Sequence, residues 1–336
     1  MMKLNRNDTI GFYSPSTPIT FFCPTRFERA KAFLTQKGFK LKPGSLTRKR
    51  DGYRSGSIAA RADELNELIR DPEVKCIIST IGGMNSNSLL PHIDYQAIKD
   101  NPKIFIGYSD VTSILLGIYQ MTGVTTFYGP ALVASFGEFA PYDEMTFKYF
   151  ADIFMGDQTL PYEFKKPSFW TEENIDWEEQ TRSKNRVENK WITCNGGVAK
   201  GRLIIGNLNT LTSIWGSRYM PKIDKGDILF IEDTQKSAAM LERLFSFLKV
   251  NQVFEKIGGL ILGKHENFND QGTQRVPYQI LEEVIGDYHF PFLADVDCGH
   301  THPMFTMPIG ERIELNASKQ TITLLSSKTK ISCLNK

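Results

Sequence analysis

The chain has no uninterrupted apolar segment of about 18 residues, the length a membrane-spanning helix requires, and its opening stretch, MMKLNRNDTIGFYSPSTP, is polar up to a short strand-like run. A membrane partner is therefore not expected. Charge of either sign is not in excess: 40 Lys and Arg against 38 Asp and Glu leave a net charge of +2. No long basic stripe interleaved with aromatics is present, which argues against nucleic acid and leaves small molecules or peptides as partners. The five cysteines, Cys23, Cys76, Cys194, Cys298 and Cys333, are odd in number and form no CxxC pair. That excludes a disulfide framework and points to a reducing compartment, so a cytoplasmic protein is expected. Neither GxGxxG nor a Walker lysine pattern accompanies Gly82-Gly83, which weakens a phosphate-cradle reading, and no HExxH cluster, internal repeat or low-complexity tract occurs.

What is present is a repeated alternation of helix and short apolar strand. Asp8 to Tyr13 reads as a strand, Pro24 to Gly38 as an amphipathic helix closed by glycine, Ala59 to Arg70 as another helix, Val74 to Thr80 and Ile104 to Gly107 as strands. Strands with so little polar alternation are buried on both faces, as in a doubly wound, mostly parallel sheet. With 336 residues the chain is too long for one core of ordinary size. Two domains are expected: residues 1–165 as an N-terminal α/β domain, 166–190 as a polar, aromatic linker or substrate loop, and 191–336 as a second, strand-richer mixed α/β domain. In the last, strands are read at Trp191 to Thr193, Ala199 to Ile205, Asp227 to Ile231 and Gly258 to Leu262, a helix at Ser237 to Val250, and a hairpin at Ile313 to Leu325.

Parallel sheets place ligands at the carboxyl ends of their strands, and that is where Gly82, Gly83 and Ser109 fall. In IFIGYSDVTSILLGIY, Ile104 to Tyr119, a strand turns into a helix at Ser109. A serine at such a turn has the exposure a nucleophile needs, although the same position suits a helix cap. The Gly-x-Ser-x-Gly pattern is not met, since Val111 stands two residues on. A serine needs a base, and the base needs a carboxylate. Glu232, at the end of DILFI, and His300, in the loop after PFLADV, stand where such partners would be built, while Glu232-Asp233-Thr234 could equally cap the following helix. A zinc site on Cys298, His300 and His302, with Asp295 and Asp297 nearby, is an alternative, because one extended segment would present those three side chains on one side.

Taken in order, DTIGFYSPSTP, STIGGMNSN, IGYSDVTSILLGIY, TFYGP, KGRLIIGNLNTL, GDILFIEDT and CGHTHPMFTMPIG resemble the LD-carboxypeptidase family of serine peptidases over nearly the whole chain. The resemblance implies a cofactor-free Ser-His-Glu hydrolase with Ser109 as nucleophile, His300 as base and Glu232 as the orienting carboxylate. It places the oxyanion hole at backbone N–H groups of Asp110 and of the Gly82-Gly83 turn. Family analogy also implies a homodimer. Murein-recycling members resemble one another in an Arg-Gly-Gly-Tyr-Gly loop, whereas this chain reads Ile81-Gly82-Gly83-Met84-Asn85. Trp170, Trp177 and Lys236 look more like the microcin C immunity branch, in which a loop tryptophan stacks on the base of a peptidyl or aminoacyl nucleotide. Trp177 is expected in that role, with Trp170 as the substitute. Asn207 matches a pocket position, although Ile205 stands where many members carry glycine. The implied function is hydrolysis of an amide in a small peptide or aminoacyl-nucleotide conjugate. Removal of a D-residue from a murein tetrapeptide, metal hydrolysis, and sequestration without turnover are the alternatives.

Overall fold

The computed structural model describes residues 2–156 and 160–326; Cys333 and the end of the 191–336 segment lie outside them. The first sheet follows from the apolar strands of the N-terminal half. Thr9–Tyr13 (TIGFY), Val74–Ser79 (VKCIIS) and Ile104–Gly107 (IFIG) are almost wholly buried and pair in parallel. The spatial order across the sheet is Met307–Pro308, Phe127–Tyr128, Ile104–Gly107, Val74–Ser79, Thr9–Tyr13 and Lys40–Pro43, with only the Met307–Pro308 edge antiparallel. The helices Pro24–Gln36 and Ile58–Arg70 connect these strands. Proline opens the first, and the Ser57 hydroxyl accepts from the Ala60 N–H at the start of the second.

The second sheet is mixed. Val198–Asn207, Ile228–Glu232, Gly259–Gly263 and Phe292–Val296 run parallel at its centre. Antiparallel flanks are added by Ile192–Asn195 on one side and by the hairpin Arg312–Asn316 with Thr321–Ser326 on the other, Tyr162–Glu163 closing that edge. The two sheets exchange chain. Met307–Pro308 from the C-terminal segment edges the first sheet, and Tyr162–Glu163 from the N-terminal segment edges the second. Their apolar faces merge into one contiguous core that includes Ile78, Ile106 and Phe127 of the first sheet with Ile205, Phe230 and Leu262 of the second. Among the described residues no helix is long and apolar enough to cross a membrane.

The 166–190 stretch is more structured than its composition suggests. Phe169–Trp170 pairs with Val187–Glu188, and Thr171 bridges to His302. Glu178 accepts from the N–H groups of Thr25 and Arg26 at the start of the Pro24–Gln36 helix, where unpaired amides favour an anion.

Candidate active site

Ser109 follows the strand Ile104–Gly107 by two residues. Tyr108 is still extended, but Ser109 takes φ +62°, the left-handed region that costs a non-glycine residue about 1 kcal/mol or more. The chain then makes a tight turn over Ser109–Val111 and enters the helix Thr112–Thr122. Ser109 caps no helix; its hydroxyl lies 3.0 Å from His300 Nε2. Nor does Glu232-Asp233-Thr234 cap the helix Ala238–Val250, whose capping side chain is Ser237.

His300 Nδ1 lies 2.7 Å from Glu232 Oε2, so one imidazole spans the Ser109 hydroxyl and the Glu232 carboxylate. Glu232 ends the strand Ile228–Glu232 and is only 1% exposed. Burial would raise its pKa, but the charge and hydrogen bond of His300, together with donors from Tyr128 and Asn207, outweigh that and hold it below the ordinary value. Burial likewise works against a charged His300, yet the Glu232 charge and hydrogen bond win and raise its pKa. The His300 loop can reach Glu232 only because Gly299 has no side chain: a Cβ there would stand 2.5 Å from Glu232 Oε2. Asp297 anchors the same loop by accepting from Trp191 Nε1 (2.6 Å) and Asn189 Nδ2 (2.8 Å) and by pairing with Lys264. The Tyr108 ring packs edge-on against His300 at 5.0 Å.

The turn opposite Ser109 is equally determined. A Cβ on Gly82 would lie 3.0 Å from Ser109 Cβ and 3.1 Å from the Asp110 backbone nitrogen, so glycine leaves room for a reacting group there. Among the described residues, the N–H groups of Gly82, Gly83 and Asp110 donate to no protein acceptor. The Asp110 carboxylate ties the two turns together by accepting from the Ser86 N–H (2.9 Å) and hydroxyl (2.6 Å). Its burial raises its pKa despite those bonds.

Ser109, His300, Gly82, Gly83 and Trp177 all line one cleft of about 310 Å³, with Lys184 and His302 on its wall. A larger cavity of about 680 Å³ around Trp215, Lys222 and Lys256 shares none of these residues, so chemistry rather than size marks the site. The Arg26 guanidinium lies 4.3 Å from the Trp177 ring centroid and occupies one side of it. Arg26 and Lys184 both pair with Glu138 at 3.1 Å, and all three side chains are almost fully buried. None of this cluster was marked by the sequence, because its members are spread from position 26 to 184 with no motif joining them.

Three expected substrate residues stand elsewhere than the cleft lining. Asn207 is 4% exposed, donates to Glu232 Oε1 (3.1 Å) and Asp233 Oδ1 (3.2 Å), and caps the helix Leu208–Ile214. Lys236 pairs with Asp233 (3.1 Å) and donates to the Thr234 carbonyl, although its neighbours Thr234 and Gln235 do line the cleft. Trp170 lies under the Lys264 ammonium at 5.3 Å. The three side chains of the alternative zinc site also diverge. Cys298 Sγ contacts the Phe305 carbonyl, His300 faces Ser109, and His302 lies 3.6 Å from Glu138 with its pKa pushed down to about 3 by burial and by the Lys184 charge. Among the described residues no group of three such side chains could hold a metal ion. A turn at Gly299, with φ +156°, interrupts the extended segment that the alternation argument required.

Residues 10–129 match the family model of the LD-carboxypeptidase N-terminal domain and residues 200–315 that of the LD-carboxypeptidase C-terminal domain. A Vibrio cholerae protein that carries a carboxypeptidase name is 53% identical over 321 residues, 96% of each chain. The microcin C7 self-immunity protein MccF of Escherichia coli is 51% identical over 319 residues, 94% of this chain and 93% of that protein. The solved structure of MccF in complex with aspartyl sulfamoyl adenosine superimposes with a TM-score of 0.95 at 50% identity, over 97% of this chain and 98% of that one. A Bacillus subtilis protein named as a probable murein peptide carboxypeptidase is 30% identical over 329 residues, 96% of this chain and 92% of that protein. With both domain models matched in order and this degree of identity along almost its whole length, the chain belongs to the LD-carboxypeptidase family and is a serine carboxypeptidase-type enzyme.

Proposed function

We propose that this enzyme hydrolyses the amide that joins an acyl group to a nucleotide in a small peptidyl or aminoacyl-nucleotide conjugate. The observation that carries the reading is the unbroken line Ser109 Oγ, His300 and Glu232, opening into a cleft whose wall includes Trp177. The Ser109 hydroxyl attacks the amide carbonyl as His300 Nε2 takes its proton, and Glu232 holds the imidazole in the required tautomer and stabilises the imidazolium. The N–H groups of Asp110 and of Gly82-Gly83 receive the developing oxyanion, an interaction worth a few kcal/mol per donor. His300 then gives the proton to the leaving nitrogen. Water, deprotonated by the same imidazole, releases the acyl group as an acid and restores Ser109.

The nucleotide half of the substrate is supported by MccF, whose solved structures hold aspartyl sulfamoyl adenosine and glutamyl sulfamoyl guanosine. Ligands that differ in base suit a stacking contact, since every base offers a π face. With Arg26 on one side of Trp177, the base would take the other. A homodimer is part of the same proposal, and sedimentation velocity should then give twice the monomer mass.

The test is product analysis by mass spectrometry of the protein and of Ser109→Ala, offered aspartyl sulfamoyl adenosine and a murein tetrapeptide side by side. Cleavage of the nucleotide conjugate by the unmodified protein alone is expected. D-alanine released from the tetrapeptide without cleavage of the conjugate would assign the enzyme to murein peptides. Cleavage of neither, with the conjugate still bound, would favour sequestration.

A further inference from the structure

The hydroxyl of Tyr128 lies between the nucleophile and the carboxylate. It accepts from the Ser109 backbone N–H at 3.1 Å and donates to Glu232 Oε1 at 2.5 Å. With the two bonds of His300, this closes a ring of four hydrogen bonds: Ser109 N–H to Tyr128 Oη, Tyr128 to Glu232, Glu232 to His300, and His300 back to Ser109 Oγ. Tyr128 is 0% exposed and sits in the two-residue strand Phe127–Tyr128 of the first sheet, whereas Glu232 belongs to the second.

We infer that Tyr128 is a positioning residue for Ser109 and Glu232 at once, a role that rests on the serine-hydrolase reading above. One hydroxyl does two jobs. As acceptor it holds the amide of a residue whose left-handed backbone would otherwise relax. As donor it fixes Glu232 Oε1, so that Oε2 is the oxygen left for His300. Buried beside the Glu232 charge, the phenol stays protonated, so its donor is always available. There is a second consequence. The Ser109 N–H is committed to Tyr128 and is not offered to the oxyanion, which leaves that task to Asp110 and the Gly82-Gly83 turn.

The test compares Tyr128→Phe, Glu232→Gln and the double variant. It reads hydrolysis of aspartyl sulfamoyl adenosine and, independently of any substrate assignment, the rate at which a fluorophosphonate labels Ser109. Loss of a hydrogen bond to a charged group predicts that Tyr128→Phe lowers both kcat and the labelling rate about ten- to a hundredfold, with KM nearly unchanged. Because part of the effect of Tyr128 runs through Glu232 and the rest through the Ser109 N–H, adding Tyr128→Phe to Glu232→Gln should cost less than it does alone but still lower the labelling rate. Replacing Tyr128 by 3-fluorotyrosine keeps the shape and folding while strengthening the donor to Glu232, which weakens the pull of Glu232 on His300 and should slow labelling. Unchanged labelling in both Tyr128 variants, or losses that multiply in full in the double variant, would overturn the role. If Ser109→Ala still hydrolysed the conjugate, it is the serine-hydrolase reading that would fail. If Ser109→Ala were inactive while Tyr128→Phe matched the unmodified enzyme, only the role of Tyr128 would fall.

Discussion

At the scale of single residues, the site is an exercise in controlled burial. His300 must be neutral to accept the proton of Ser109. Burial alone would favour that, but Glu232 raises the His300 pKa above the ordinary 6.5. Activity should therefore be lost as pH falls through a value above 6.5, seen as the acidic limb of kcat/KM. Glu232→Gln removes the main raising influence and keeps the burial, so the limb should move to lower pH while the plateau falls by orders of magnitude. A limb that stays in place in Glu232→Gln would mean that His300 is not the group being titrated. A strand-to-helix turn and a Gly and Pro bounded loop made Ser109 and His300 candidates, but the same marks suit a helix cap and a surface histidine, and it was the family resemblance that joined them. Tyr128 bore no such mark. A strand of two residues has no period to read, and a hydroxyl that serves two partners 19 and 104 positions away leaves no local trace.

At the scale of elements, the stretch from Glu173 to Asn185 contributes Asn174, Trp177 and Lys184 to the cleft wall. Trp177→Ala should weaken binding of an adenylate-bearing substrate by about 1–3 kcal/mol, the usual scale of base stacking, and should hardly affect a plain peptide in the same titration. An equal loss for both ligands would make Trp177 a packing residue. The stretch is fastened by Glu138, which faces Arg26 and Lys184 with its own side chain and that of Arg26 fully buried. Glu138→Gln leaves two buried cations without their counter-charge, and denaturant unfolding should show a loss of about 3–5 kcal/mol. The pH dependence has a definite sign. Burial opposes ionisation of Glu138, but the surrounding cations, His302 when protonated, Arg26 and Lys184, hold its carboxyl far below the usual range. Its stabilisation is therefore present above the unfolded carboxylate value of about 4.3 and is lost progressively as the solution is acidified below it. Polar composition made residues 166–190 read as a linker or substrate loop without regular structure. Their order comes from long-range pairs such as Glu178 with the helix start at Thr25 and Arg26, which no local window contains. The buried strands Val74–Ser79, Ile104–Gly107 and Ile228–Glu232, by contrast, were legible to within a residue or two, because apolar runs must be covered on both faces. Lys40–Pro43 escaped notice for the opposite reason, as an edge strand with an exposed, polar KLKP sequence.

At the scale of the whole molecule, Ser109 comes from one sheet, and His300 and Glu232 from the segment that builds the other. Asn207 shows how tightly the halves are joined: its N–H donates to Thr112 Oγ1 at the start of the helix that follows Ser109 (2.9 Å), and its side chain donates to Glu232. The family resemblance placed it at a pocket position, and a matched position does not show which way its amide turns. The two sheets share one contiguous core and exchange edge strands, so scanning calorimetry should give one cooperative transition. Two separated transitions would mean that the halves fold as independent units and that the site is assembled only by their docking. Whether Ser109 is the nucleophile is decided by mass-spectrometric mapping of a fluorophosphonate adduct, followed beside the remaining hydrolysis of aspartyl sulfamoyl adenosine. A single adduct on Ser109, with activity that falls in proportion to its occupancy, is expected. Hydrolysis that persists with Ser109 fully modified would contradict that role.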